Sequence, residues 1–267
     1  MADVLQAIVA GARRSAAERM RAVPLAEMEQ LAAPRRPRGA EFRASLSADG
    51  VRIIAECKRR SPSRGILRAD YDPAAIAVGY AGAGAAGISV LTEPSFFDGS
   101  LDHLRAVRAA VATPVLRKDF VVTEYQVAES RAAGADGILL IVAALADEEL
   151  SRLARYAADL GLMTLVEVHT ADELKRAVDA GADTIGVNSR NLRTLDVDRA
   201  LFERLAPDIP DAAVAVAESG IRSAKDIRRL RAAGFDAFLI GERFMMDEDA
   251  GASLAALRAA ADGRSDA

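Results

Sequence analysis

A repeated junction constrains this chain more than any other feature. A helical stretch ends in Ala-Gly, a small or acidic residue follows, and a β run begins. The junctions are Ala83-Gly84-Ala85, Ala133-Gly134-Ala135-Asp136, Ala180-Gly181-Ala182-Asp183 and Ala232-Ala233-Gly234-Phe235-Asp236. Glycine ends a helix because it takes the left-handed conformation without steric cost. The β runs that follow directly are 87–93, 137–142, 184–188 and 237–241; between them fall 53–58, 114–120, 163–168 and 213–218. Helical spacing follows each run, over about 73–83, 101–111, 124–133, 147–160, 171–180, 198–205, 224–233 and 251–262. Eight strands alternating with eight helices predict an α/β fold, a (β/α)8 TIM barrel, over residues 51–267. A doubly wound open sheet is the alternative. Such a sheet usually carries a glycine-rich turn after its first strand. Lys58-Arg59-Arg60-Ser61-Pro62-Ser63 stands there instead.

Residues 1–50 differ from the rest. Val4 to Met20 has helical spacing with arginines on one side, Met28 to Leu31 continues an amphipathic pattern, and Pro34-Arg35-Arg36-Pro37-Arg38-Gly39 breaks it. They predict a helical N-terminal extension to a single catalytic domain. The arginine cluster reads as a solvated linker, with a phosphate-facing lid as the second reading. A chain of 267 residues, 51% hydrophobic, is comfortable as one barrel. A net charge of −4 argues against a general nucleic-acid surface. The single cysteine, Cys57, excludes an intrachain disulfide framework and suits a reducing cytosol. No apolar run approaches the ~20 residues of a membrane span, and the opening residues do not read as a signal peptide. The expectation is a cytoplasmic protein with no membrane or nucleic-acid partner, taken as a monomer.

The positive charge is carried by thirty-one arginines and four lysines, and two of those lysines, Lys58 and Lys118, sit on predicted strands. Arginine hardly ever releases its proton, whereas burial can lower a lysine pKa and make it an acid or base. In a barrel, function gathers at the C-terminal ends of strands. The first strand ends Glu56-Cys57-Lys58, and alternation puts Glu56 and Lys58 on one face with Cys57 on the other. The third ends with Lys118, the fifth with Glu167, the sixth with Asn188 and Arg190, and the seventh with Glu218. Buried charge is costly and often replaceable by apolar packing, so five strand ends carrying it favour a site over a stabilising device. Two glycine turns, Glu218-Ser219-Gly220-Ile221 and Leu239-Ile240-Gly241-Glu242, follow the seventh and eighth strands, where this fold commonly cradles phosphate.

Other residues carry less. Asp119 is expected to point away from the axis and support Lys118. His103 reads as a surface residue, and His169 as a rim or structural histidine. Phe96-Phe97 either cover an aromatic ligand or pack their loop. Two distant histidines and one cysteine give a zinc site little support.

Together these residues resemble the indole-3-glycerol-phosphate synthase family. The likeness runs over nearly the whole chain. It rests on the extension and on Ala55-Glu56-Cys57-Lys58-Arg59-Arg60-Ser61-Pro62-Ser63-Arg64-Gly65, Leu91-Thr92-Glu93, Arg117-Lys118-Asp119-Phe120 and Leu165-Val166-Glu167-Val168-His169. It continues through Gly186-Val187-Asn188-Ser189-Arg190-Asn191-Leu192 and the two glycine turns. Glu-x-Lys followed by Ser-Pro-Ser-x-Gly is the specific part; the glycine turns are generic. The resemblance implies ring closure of a phosphorylated carboxyphenylamino-deoxyribulose, with loss of CO2 and water and no cofactor or metal. It implies Lys118 as the acid at the ketone, and Lys58 as a binder of carboxylate or phosphate that aids dehydration. Glu167 would be acid/base in hydroxyl loss, and Glu56 would polarise the lysines. Asn188 and Glu218 would orient hydroxyls and Lys58. Ser61, Arg190, Ser219, Gly220, Gly241 and Glu242 would hold phosphate, while Phe120 and the extension would cover the ring. Two departures stand out: Cys57 replaces an aliphatic residue, and Arg243 stands where the family often has serine. Two rival readings remain. A phosphoribosylanthranilate isomerase-like barrel needs a cysteine–aspartate pair, which an outward Cys57 does not supply. A non-catalytic sugar-phosphate-binding barrel would be expected to lose the acid/base residues.

Overall fold

The computed structural model describes residues 4–192 and 194–263; residues 1–3 of the expected extension and 264–267 of the expected barrel domain lie outside the described residues. Eight parallel strands close a barrel: β1 (Arg52–Cys57), β2 (Gly87–Leu91), β3 (Val115–Lys118), β4 (Gly137–Ile141), β5 (Met163–Val168), β6 (Thr184–Asn188), β7 (Val214–Glu218) and β8 (Ala237–Ile240). Each strand pairs with its neighbour in sequence, and β1 closes the ring on β8 with Ile54 opposite Leu239. The four junction glycines, Gly84, Gly134, Gly181 and Gly234, all take positive φ, between 77° and 102°.

The helices begin where the side chains allow. Asp72 accepts from Ala74 and Ala75 N–H ahead of α4 (Pro73–Gly82), and Ser100 caps α5 (Leu101–Ala110). Thr123 caps α6 (Glu124–Ala133), and Thr170 caps α8 (Ala171–Asp179), which follows α7 (Asp147–Asp159). The ring is completed by α9 (Leu201–Leu205), α10 (Ala224–Ala232) with a Ser223–Asp226 capping box, and α11 (Ala250–Ala261). Each such cap satisfies a backbone donor that the first helical turn leaves free.

Strand alternation divides the core in two. Ile53, Ala55, Cys57, Ile88 and Val90 pack outward against the helices. Ile54, Leu116, Leu139, Leu165, Val216 and Leu239 fill the barrel interior. Four of these inward columns then change character toward their C-terminal ends. Ile54 is followed inward by Glu56, Leu116 by Lys118, Leu165 by Glu167, and Val216 by Glu218. Apolar packing thus floors a polar cavity.

Three helices precede the barrel: α1 (Val4–Ala22), α2 (Leu25–Ala32) and α3 (Gly39–Leu46). They do not act as one piece. At the C-terminal face, Leu5 and Ile8 of α1 join the apolar cluster of Phe120 and Ile141, and Arg13 bonds Val122 O and Glu149. At the opposite face, Phe42 and Leu46 of α3 are fully buried, Gly39 N–H bonds Gly161 O, and Ser45 bonds Ala86 O. Gly39 is required there, since a Cβ would stand 2.5 Å from Met163 N. In the arginine cluster Arg35 and Arg36 are exposed, as a solvated linker would be, none of its arginines lines the cavity, and Arg38 docks on the barrel. Arg38 N–H bonds Asp136 Oδ1 at 2.9 Å and its guanidinium bonds Ala112 O, both beside the N-terminal ends of strands. Among the described residues no helix is long and apolar enough to cross a membrane.

Candidate active site

The cavity above the apolar floor has a volume of about 660 Å³ and opens at the C-terminal ends of the strands. Every site residue expected from the sequence, from Glu56 and Lys58 to Gly241 and Glu242, lines it. Lys118 Nζ lies 3.0 Å from Glu167 Oε2 and 2.7 Å from Glu218 Oε2. Lys58 Nζ lies 2.5 Å from Glu56 Oε1. Cys57 points the other way, fully buried against α4, with Sγ 3.9 Å from Pro73 O. Burial and the Glu56 charge raise its thiol pKa, which removes it as a nucleophile.

The charges differ from the simplest expectation for a buried lysine. Burial opposes the Lys118 ammonium, but Glu167, Glu218 and Glu56 outweigh it and its pKa is raised, not lowered. Lys118 therefore rests as an ammonium and is disposed to give its proton to a strong base such as an alkoxide. Burial also works against the Glu167 carboxylate, yet Lys118 and His169 draw its pKa well below the usual carboxylate range. At Glu218 burial prevails over Lys118, with Glu167 adding repulsion, and the pKa is pushed up to about 7. Two carboxylates on one lysine are thus driven apart, as acid/base partners in enzymes often are.

Two glycines make room for this cluster. A Cβ at Gly241 would stand 2.5 Å from Glu56 Oε1, and one at Gly186 would occupy the place of Glu218 Oε1. Gly241 therefore serves the catalytic wall as well as the turn. Gly220 (φ 70°) follows Ser219 (φ 65°), both left-handed, and a Cβ at Gly220 would meet Val197 Cγ1 at 2.8 Å. Arg190 leaves β6 with its N–H on Asn188 Oδ1 at 3.0 Å; its guanidinium bonds Leu195 O and lies 3.5 Å from Glu242 Oε2. Arg64 holds the other oxygen of Glu242 at 3.2 Å. Arg64, Arg190, Arg222 and Arg243 all line this side of the cavity. Arg243 bonds Arg222 O, so it ties the seventh and eighth loops together. Ser61 is buried in a short hairpin, Arg60–Ser61 against Gly65–Ile66, that follows β1. Phe97, Phe120, Leu139, Ile141 and Leu192, which belong to one apolar cluster, also line the cavity and give it an apolar wall. Among the described residues none of the lining comes from the extension.

Several participants escaped the sequence reading. Arg117 is fully buried behind Lys118 and bonds Asp119, Glu129, Ser130 and Gln126 O; Arg19 of α1 bonds Glu129 from outside. Asp119 takes the supporting position expected, through Arg117 and Thr92. His169 Nε2 lies 3.3 Å from Glu167 Oε1. His103 is half-buried, edge-on to Tyr71 at 5.3 Å, and not a plain surface residue. Glycine inside a strand was the available signal for Gly186. An arginine at an outward strand position, two residues before Asp119, was the signal for Arg117.

A closed (β/α)8 barrel with two lysines set against three glutamates, beside an arginine-rich rim, defines an acid–base enzyme of the TIM-barrel class. A family model for indole-3-glycerol phosphate synthase matches residues 5–257. The chain belongs to that family. It is 53% identical over 247 residues to indole-3-glycerol phosphate synthase 1 of Streptomyces coelicolor, covering 92% of this chain and 91% of that protein. It is 49% identical over 256 residues to indole-3-glycerol phosphate synthase of Mycolicibacterium vanbaalenii, covering 96% and 94%. Among solved structures it resembles KGPDC from Streptococcus mutans, with a TM-score of 0.62 at 12% identity over 80% of this chain and 98% of that one. That likeness is one of fold alone.

Proposed function

We propose that this protein converts 1-(2-carboxyphenylamino)-1-deoxyribulose 5-phosphate to indole-3-glycerol phosphate, with release of CO2 and water, in tryptophan biosynthesis. The observation that carries this reading is Lys118 held between Glu167 and Glu218 on the floor of a cavity with one apolar and one arginine-rich wall. The aromatic ring lies against Phe120, Leu139 and Ile141, and the phosphate among Ser61, Arg190, Ser219, Gly220, Gly241 and Glu242. The ring carbon bearing the carboxylate attacks the ketone, and the carbonyl oxygen becomes an alkoxide. Lys118 delivers a proton to that oxygen; the raised pKa keeps it charged until the alkoxide forms. CO2 then leaves the ring carbon, and its bonding electrons restore the aromatic ring. Hydroxyl loss needs an acid, for which Lys58 and, once it has taken up a proton, Glu167 are the groups in reach, and the final deprotonation returns a proton to a carboxylate. Glu56 holds Lys58, while Asn188 and Glu218 orient the hydroxyls. All these groups come from one chain, which fits a monomer, and a lone buried Cys57 fits the cytosol. The isomerase reading loses its cysteine base because Cys57 points away from the cavity, and a pure binding protein has no use for the split carboxylates.

Lys118→Arg tests the reading. It keeps the charge but presents a planar head that holds its proton more tightly. General-acid catalysis contributes about 10²–10⁴-fold, so kcat followed by indole fluorescence should fall by at least that. An arginine variant within a few-fold of wild type, correctly folded by circular dichroism, would remove Lys118 as the acid.

A further inference from the structure

His169 lies just beyond β5, outside the residues assigned to the reaction, and its ring is held between two carboxylates. Nε2 is 3.3 Å from Glu167 Oε1 and Nδ1 is 3.1 Å from Glu173 Oε2. Glu173 Oε2 also accepts the His169 backbone N–H at 2.7 Å, which fixes its carboxylate at the start of α8. A neutral imidazole has one N–H and one lone pair. In this setting the lone pair would face a carboxylate oxygen at close range. The Nδ1 contact is a hydrogen bond, whereas Nε2 faces Glu167 Oε1 as a charge contact without hydrogen-bond alignment; only the imidazolium presents an N–H instead of a lone pair to both carboxylates. Burial works against that charge, but Glu167 and Glu173 outweigh it and lift the pKa to about 10.

The consequence falls on the two glutamates that share Lys118. Glu167 and Glu218 both reach one ammonium, and neither contact by itself decides which of them keeps a proton. Glu167 has a second cation on its other oxygen. Glu218 Oε1 has no hydrogen-bond partner among the described residues. The groups facing Glu167 are Lys118 from β3, Glu218 from β7 and His169 beyond β5, and those facing His169 are Glu167 and, from α8, Glu173.

We propose that His169 is a positioning residue that, clamped by Glu173, holds Oε1 of Glu167 and so makes Glu167, not Glu218, the ionised partner of Lys118. This rests on the reaction proposed above. His169 does not touch the substrate; it selects which carboxylate enters the cycle as a base and keeps Oε2 of Glu167 aimed at Lys118.

Two measurements test this. The first is the pH profile of kcat/KM for wild type, His169→Gln and Glu173→Gln, assayed by indole fluorescence. Glutamine keeps a hydrogen-bond donor at 169 but no charge. The acidic limb should move to higher pH by about one unit or more, since loss of a nearby cation raises a carboxyl pKa. Glu173→Gln should move it the same way by less. Activity near the acidic limb should drop at least tenfold, with recovery as pH rises. Superimposable profiles, or an equal loss at every pH, would overturn the proposal. Turnover by wild type in the same assay tests the reaction separately. The second measurement needs no turnover. The chain has two histidines, so the ring signals in NMR are assigned with a single His103→Gln variant. His169 should stay doubly protonated through pH 8; titration near its ordinary value would overturn the proposal even if the variants failed to fold.

Discussion

Gly186 and Glu218 meet across neighbouring strands: the Glu218 carboxylate fills the space that a side chain at 186 would need. The barrel wall is therefore shaped to the glutamate, and Gly186→Ala should act on catalysis through it. Overpacking of this kind costs about 1–3 kcal/mol. We expect urea unfolding to report a loss in that range, with kcat/KM down about tenfold or more as Glu218 leaves Lys118. Full activity in the alanine variant would show that Glu218 has slack.

Arg190 is anchored by Leu195 O and shares Glu242 with Arg64. A phosphate held there is a remote handle, bound equally in the ground and transition states. Arg190→Ala should raise KM by about tenfold or more and leave kcat within a few-fold. A large fall in kcat at constant KM would assign Arg190 to the chemical steps instead.

Arg117 faces Asp119 at 3.0 Å and Glu129 at 3.0 Å with no access to solvent. Removing one member of a buried ion network strands the others, at about 3–5 kcal/mol. Arg117→Met should lose stability in that range by urea unfolding. Arg19→Met removes a partly exposed partner and leaves Glu129 paired with Arg117; its loss should be about 1 kcal/mol or less. Equal losses would mean that Glu129 depends on α1.

The extension divides at the α2–α3 connection. Deleting residues 1–23 takes away Leu5 and Ile8 behind Phe120 but leaves α3 in place. That truncation should fold cooperatively and show a raised KM. Deleting residues 1–45 also removes Phe42, a fully buried core residue whose loss alone is worth about 3–5 kcal/mol, and should abolish cooperative unfolding. A cooperative 46–267 fragment would refute the need for α3 at the N-terminal end of the barrel.

The raised pKa of His169 also makes stability depend on pH. Between about 6.5 and about 10 the folded chain holds a proton that the unfolded chain releases. The contribution is complete below 6.5 and is lost as pH rises through 10, on the order of a few kcal/mol. Urea midpoints across that window should fall more steeply for wild type than for His169→Gln. Parallel curves would leave His169 without this charge.

Much of the fold and the inward set of site residues was legible because period-2 alternation and glycine-stopped helices are local properties. Counting put Glu56 and Lys58 on one face, and the apolar run ahead of each marked Lys118, Glu167, Asn188 and Glu218 as strand-end residues. The position of α3 was not legible: Gly39-Ala40-Glu41-Phe42 bears no mark of where it docks, and its fit depends on Gly161 in the turn before β5 and on Met163 and Gly87 at the starts of remote strands. The state of Lys118 was not legible for the same reason. Burial alone pulls a lysine pKa down, and only the third dimension brings Glu167 and Glu218, 49 and 100 residues away, to reverse the sign. Gly186 reads in sequence as a weak strand residue, and its purpose appears only when the opposing carboxylate is in view.

Because α3 stoppers the lower end of the barrel, the catalytic chamber is a cul-de-sac. Whatever enters must leave by the same doorway, and the arginines proposed to hold the phosphate line that same cavity. The small by-products can slip past, but the bulky phosphorylated product must let go of the same handle that the next substrate molecule needs. Turnover then becomes a matter of traffic: departure and arrival exclude one another, and product should compete directly with substrate.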